Sequence, residues 1–358
     1  MPGLVPGIHV LLCCAEDVDG RVKPGHDERE SLRMLNTAMI GLGWWGKELV
    51  RSARTSELMR FTRGVTLEPE TVRDFAKEMN IGIGTSYEDV LADISIDAVV
   101  LATPHTRHRA QIEAAAAAGK HVFCEKPFAL TVEDAKAAIA ACRKAGVALG
   151  VGHNRRLWPS MVKLKEVVSS AEFGTIMFAE GNYSHDILAN TPLDNWRSAP
   201  QETKAGGMTG MGIHLLDGFS FLIGPVARVS ALSTKRILPF ASGDTTQAML
   251  AFRNGATATI ATSLKTPGFV WRLAVYGSEM WAESLSETKV VICGRGGNPE
   301  TLDMPQTNHI GANLDSFAAA ALGKGEFQID DAGIIHTVAA LAAVFDSAER
   351  NGEWRDIA

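Results

Sequence analysis

The chain has 358 residues, which at roughly 100–200 residues per domain predicts two domains. It is 46% hydrophobic and 21% charged, a globular composition that excludes a disordered, collagen-like or disulfide-scaffold protein. The formal net charge of −6 argues against a nucleic-acid partner, whose binding domain is usually basic. Residues 1–33 mix Pro, Gly and charge without any sustained period, and Met34 stands directly before a clean strand. This stretch reads either as a disordered tail or as sequence upstream of the true start, and as carrying no function. Strands are then expected at Asn36 to Ile40, Met59 to Thr66, Asp97 to Leu101, His121 to Cys124 and Val147 to Val151. Helical spacing between them predicts helices over Lys47 to Arg54, Pro69 to Met79, His105 to Ala118 and Val132 to Ala145. Strands alternating with helices imply βαβ units and a parallel sheet over residues 34–155.

The rhythm changes after about Arg156. A helix over Pro159 to Ser169 precedes strand-like runs at Ile176 to Tyr183, Val226 to Thr234, Thr245 to Phe252, Ala256 to Leu264 and Phe269 to Tyr276. Asn254-Gly255 is a hairpin signal between two of them. Helices close the chain at Asn313 to Leu322 and Ile334 to Asn351. Residues 156–358 are therefore expected to form an α+β domain with a large, mainly antiparallel sheet.

Gly41-Leu42-Gly43-Trp44-Trp45-Gly46 is a G-x-G-x-x-G turn that follows a strand and opens a helix, the context of a dinucleotide site. Gly41 permits the turn, Gly43 lets backbone N–H groups approach a pyrophosphate, and Gly46 lets helix and strand pack closely. The acidic ribose ligand usual about 20 residues on is missing, because that count falls on Thr66. Thr66 and Arg63 tolerate a 2′-phosphate better than an aspartate would, an inclination to NADP over NAD. Glu68 reaching the ribose is the rival. One of Trp44 and Trp45 is expected over the cofactor or under the helix.

Three further motifs follow in order: Ala102-Thr103-Pro104-His105 with His108, Glu125-Lys126-Pro127, and Gly206-Gly207 running to Gly212-Ile213-His214-Leu215-Leu216-Asp217. With the glycine turn they make the chain, from about residue 35 to its end, resemble the Gfo/Idh/MocA oxidoreductases. The resemblance implies a Rossmann domain followed by an α+β domain with an open antiparallel sheet. It also implies NAD- or NADP-linked hydride exchange with a secondary alcohol of a sugar, polyol or related cyclic compound, and dimers or tetramers joined through the open sheet.

Lys126 matches the family lysine that bridges substrate hydroxyl and cofactor. Oxidation needs a base within reach of the hydroxyl proton, and burial lowers a lysine pKa toward that task. Pro127 keeps Lys126 out of the α region. His214 matches the family's catalytic histidine, a group that accepts and returns protons near neutrality. Asp217 either orients that ring or makes a structural contact. Thr103, Pro104, His105 and His108 lie where Rossmann ligands bind, although His108 has a helix-capping alternative. Glu125 is expected near the nicotinamide ribose. Asn154, Arg155 and Arg156 fall beside the cleft, Arg155 facing substrate or cofactor or forming an interdomain salt bridge. Trp196-Arg197 matches a family Trp-Arg pair, and Tyr183 and His185 are substrate-pocket or sheet-face residues.

The family often has Asp four residues before the histidine; here that residue is Gly210. Lys126 and His214 then suffice, another group substitutes, or the substrate differs from a simple sugar. Two other readings stay open: a cofactor-binding sensor or scaffold without turnover, and a nicotinamide-dependent hydrolase or lyase. Cys13, Cys14, Cys124, Cys142 and Cys293 are scattered without C-x-x-C spacing, which predicts no metal centre and a reducing compartment. No apolar run reaches the roughly 18 residues of a membrane span, and Ile8 to Ala15 lacks signal-peptide flanks. The expectation is cytoplasmic, with a small-molecule partner and no membrane or nucleic-acid partner.

Overall fold

The computed structural model describes residues 33–357. The extension expected over residues 1–33 lies outside them, Arg33 excepted. The first layered unit comprises β1 (Leu35–Ile40), α1 (Trp44–Ser52), β2 (Met59–Val65), α2 (Arg73–Met79), β3 (Gly82–Gly84) and α3 (Tyr87–Ala92). It continues through β4 (Ala98–Leu101), α4 (His108–Ala117), β5 (His121–Cys124), α5 (Val132–Ala145) and β6 (Leu149–Val151). The six strands are all parallel, in the order β3-β2-β1-β4-β5-β6. All four residues of β4 are buried, because helices cover both faces of the sheet. Local chemistry fixes the helix ends. Thr131 accepts a hydrogen bond from Asp134 N at the start of α5, and Gly146 closes that helix in the left-handed region.

Strand order reverses between β1 and β4, so their carboxyl ends open a crevice. β3 and α3 are additions to the expected list. β3 has only three residues, two of them glycine, too few to show a period.

The second unit comprises α6 (Pro159–Val168), β7 (Ile176–His185), α7 (Gly212–Leu222), β8 (Val226–Thr234), β9 (Thr245–Phe252), β10 (Thr257–Ser263) and β11 (Phe269–Gly277). It ends with β12 (Met280–Ser284), β13 (Lys289–Gly294), β14 (Glu300–Asp303), α8 (His309–Ala321), α9 (Asp331–Glu349) and β15 (Arg355–Asp356). Nine strands form one mixed sheet, β14-β13-β12-β11-β7-β10-β9-β8-β15. Only β7 and β10 pair in parallel. Gly255, at φ 90°, makes the turn from β9 to β10. One face packs on α6, α7 and α9. The other leaves Met177, Phe178, Leu232 and Met249 exposed.

The C-terminal helices return to pack on the first sheet as well as the second. Leu314, Phe317 and Ala318 of α8 enter the core on the α1–α2 face of the first sheet. Ile334 and Val338 of α9 join the α4–α5 face, while Leu341 and Val344 serve the second sheet. Both sheets thus belong to one compact unit. By length and mean hydropathy α9 does qualify as a membrane-crossing helix; half of that stretch is buried in this packing.

Candidate active site

The glycine turn sits at the end of β1, beside the end of β4. Gly41 has φ 99°, and a Cβ there would lie 2.6 Å from Ala102 O. A Cβ on Gly46 would lie 2.0 Å from Gly41 O, so α1 meets the turn only without a side chain. Gly43 has nothing within 4 Å of its Cβ position. It is the N-cap of α1, and no side chain accepts from the first helical N–H groups. The turn therefore presents free donors and open space to an anion, which is the fit a dinucleotide pyrophosphate requires.

Next to this turn lies a cavity of about 390 Å³ between the two sheets. From the first unit, Trp44, Trp45, Thr103, His105, Glu125 and Lys126 line it. Arg155 and Trp158 follow β6 into it, and Tyr183 and His185 reach it from the end of β7. Trp196, Arg197, Gly210 and His214 come from the segment leading into α7 and from α7 itself. Residues far apart in sequence thus converge on one space.

Lys126 occupies the junction. Its peptide bond to Pro127 is cis. Its Nζ donates to Gly210 O at 3.0 Å. Burial lowers its pKa to about 8; Arg155 and Arg197 push the same way and Glu125 opposes. The Glu125 carboxylate accepts from Lys126 N at 3.1 Å. It fits because residue 152 is glycine, whose Cβ would stand 2.5 Å from Glu125 Oε1. Burial raises the Glu125 pKa. His214 is held well below its usual pKa, first by burial and then by the charge of Lys126 and Arg155. Its imidazole is therefore neutral across the physiological range.

Arg155 stacks on three rings, with its guanidinium carbon 4.2 Å from the Trp158 centroid, 4.4 Å from Tyr183 and 4.9 Å from Trp271. Its Nη2 donates to Tyr183 Oη at 2.6 Å. The salt-bridge alternative belongs instead to its neighbour: Arg156 holds Asp217 through both carboxylate oxygens at 2.7–3.0 Å. Asp217 is thereby corrected. It faces Arg156, not the His214 ring, and it does not line the cavity.

His108 is also corrected as a cofactor contact. It is fully buried, with Nδ1 2.9 Å from Pro127 O and Nε2 3.1 Å from Thr103 O. It ties the Lys126-Pro127 turn to the end of β4 and does not cap α4. His105 Nδ1 lies 2.9 Å from Glu202 O, and burial lowers its pKa to about 3. Thr66 and Pro104 lie outside the cavity lining. Thr66 Oγ1 accepts from Glu68 N at 3.3 Å, while Arg63 pairs with Asp93 at 3.4 Å.

Several residues escape a sequence reading. Glu202 accepts from Thr106 N at 3.1 Å and binds the Thr106 hydroxyl, joining the segment before α7 to the first unit. His309, the first residue of α8, lines the cavity and contacts Glu287 at 3.2 Å. A polar N-cap at Asn308 announces a helix start but not that it folds back onto the site.

Residues 35–153 match the family described as "Oxidoreductase family, NAD-binding Rossmann fold", and residues 161–283 match the GFO/IDH/MocA C-terminal domain. An uncharacterized oxidoreductase, YrbE of Bacillus subtilis, is 30% identical over 288 residues, 78% of this chain and 79% of that protein. The chain belongs to the Gfo/Idh/MocA oxidoreductase family. Another relative, a D-apiose dehydrogenase of Paraburkholderia graminis, is 28% identical over 75% of this chain and 67% of its own length. The fold superposes on a levoglucosan dehydrogenase solved with NADH and levoglucosan, with TM-score 0.84 and 22% identity, covering 91% of this chain and 100% of that one. As a Gfo/Idh/MocA member the chain has the NAD-binding Rossmann fold of an oxidoreductase family. Within this family member, the lysine and histidine of the two motifs line one cavity.

Proposed function

We propose that this protein is an NAD(P)-dependent oxidoreductase that exchanges hydride with a secondary alcohol or ketone carbon of a sugar, polyol or related cyclic compound. One observation carries the reading: a half-buried lysine with a pKa lowered to about 8 stands in a cavity between an open dinucleotide turn and a neutral histidine. The names of the sugar-dehydrogenase relatives support it. The sensor and hydrolase or lyase readings are not favoured.

Gly43 and the N-terminus of α1 would hold the dinucleotide's pyrophosphate, and Trp45 and Glu125 flank the cavity beside them. When bound, the nicotinamide supplies the hydride acceptor or donor. Lys126, as the free amine, takes the hydroxyl proton of the alcohol and returns it in the reverse direction. The Gly210 carbonyl aims the amine. His214, neutral, hydrogen-bonds the same oxygen as its charge changes. Glu125 keeps the Lys126 turn in place. The absence of a carboxylate at Thr66 leaves NADP somewhat better accommodated than NAD, with Glu68 as the nearest rival for the ribose. The uncovered sheet face carrying Phe178 and Met249 is the surface through which dimers or tetramers would form.

The test is a screen of sugars, polyols and cyclitols with both coenzymes, read by formation of reduced cofactor. Turnover that Lys126→Ala abolishes is expected. Turnover unaffected by that change would overturn the assignment.

A further inference from the structure

The cavity holds an unbalanced set of charges. Lys126, Arg155 and Arg197 all face it, while Glu125 is the only carboxylate in its lining. Both arginines act on Lys126 electrostatically, so the three cations share one region. Among the described residues, no hydrogen bond or ion pair engages the Arg197 side chain. Its guanidinium carbon lies over the Trp196 ring, 4.2 Å from the centroid. Arg155 donates once, to the Tyr183 hydroxyl, and its buried Nη1 has no partner among the described residues. The nearest acid outside the lining that acts on Arg155 is Glu287, and it is bonded to His309.

Ring stacking occupies the flat faces of both guanidiniums. Their in-plane N–H donors are left over, and those donors match a carboxylate. Burial depresses the pKa of each arginine; Tyr183 and Glu287 oppose it at Arg155, and no acid opposes it at Arg197. A buried cation without a counter-charge is costly, and sites tolerate it where a ligand brings the missing charge.

Building on the oxidoreductase reading, we infer that the substrate is a sugar acid: a polyhydroxy compound whose carboxylate lies against Arg197, in the field of Arg155, with its reacting carbinol at Lys126. The carboxylate is a handle and is not consumed. The bonds broken are the C–H and O–H of the carbinol, hydride going to the oxidised nicotinamide and the proton to Lys126. Gly210 fits this assignment. An aspartate there would place a second acid in the cavity and repel the substrate.

The experiment uses matched pairs, glucuronate with glucose and gluconate with glucitol, and glucose 6-phosphate, each with NAD and NADP. The acids should exceed their neutral partners in kcat/KM by ~100-fold, the scale of one or two charge-assisted hydrogen bonds. Arg197→Gln should collapse that ratio while NADH binding, read by energy transfer from tryptophan, persists. Neutral sugars turned over as well as the acids would overturn the inference and leave the oxidoreductase reading intact. Preference for the phosphate over the uronate would overturn the carboxylate assignment. Weakened NADH binding by Arg197→Gln, with acids and neutral sugars losing alike, would give Arg197 to the cofactor and also overturn it. If no pair turns over, binding to the NADH-loaded protein decides, by tryptophan quenching. Tighter binding of the acid supports the inference, and equal or absent binding contradicts it. Failure to bind NADH at all would instead sink the parent reading.

Discussion

The Lys126 ammonium is bonded to the backbone carbonyl of Gly210, 3.0 Å away, at the position where the family resemblance leads one to expect an aspartate. A carbonyl aims an amine without adding the full negative charge that would hold its proton. This is consistent with the lowered pKa of about 8, for which burial is the first cause.

Gly210→Asp should therefore fold normally, since nothing lies within 4 Å of the Cβ position. The new carboxylate should raise the Lys126 pKa by about 1–2 units and lower oxidation at neutral pH by ~10-fold or more. The pH profile of kcat/KM, with thermal melting as the folding control, checks this. A large gain in activity would contradict the role given to the carbonyl.

In the unmodified protein, Lys126 accepts a proton only as the free amine. Alcohol oxidation should rise with pH, turn near 8 and then level off. Carbonyl reduction should show the reverse dependence. His214 contributes no inflection between pH 6 and 9, because its pKa lies well below 6.5. Lys126→Ala should cost ~10²–10⁴ in kcat/KM. A profile flat through pH 8 would exclude the lysine as the base.

The three glycines of the turn should separate in a mutant series. Gly46→Ala should destabilise the fold by ~1–3 kcal/mol, because its Cβ would overlap Gly41 O. Gly43→Ala, whose methyl enters open space, should leave melting unchanged and weaken NADH binding. Melting curves beside cofactor titrations distinguish these outcomes, and unaltered binding by Gly43→Ala would remove the pyrophosphate from this turn.

Arg156 and Asp217 form a buried bidentate pair, their side chains 12% and 3% exposed. Asp217→Ala leaves a buried guanidinium uncompensated and should cost ~3–5 kcal/mol in denaturant unfolding. A loss under ~1 kcal/mol would show that the pair is not structural.

Much of this architecture is legible in the sequence, and the misses have physical causes. The buried run Ala98–Leu101 and the G-x-G-x-x-G turn announce a parallel sheet because burial on both faces and close backbone approach leave local signatures. Lys126 and His214 stand out in the sequence because each sits in a short motif, and both line one cavity. Asp217 stays ambiguous in the sequence because spacing along α7 places it near His214, whereas Arg156, 61 residues away, engages it in space. His108 is misread because a histidine at a helix start looks the same whether it caps that helix or bonds the Pro127 carbonyl. The return of α8 and α9 to the first sheet is set by long-range packing, Phe317 against Phe123, that no local pattern records.

The central claim is most directly tested by titrating the folded protein with NADH and NADPH and following energy transfer from tryptophan to the reduced nicotinamide. Trp44 and Trp45 line the cavity beside the turn, so saturable transfer is predicted for at least one coenzyme, stronger with NADPH if Thr66 admits the 2′-phosphate. No transfer and no binding with either coenzyme would contradict the account.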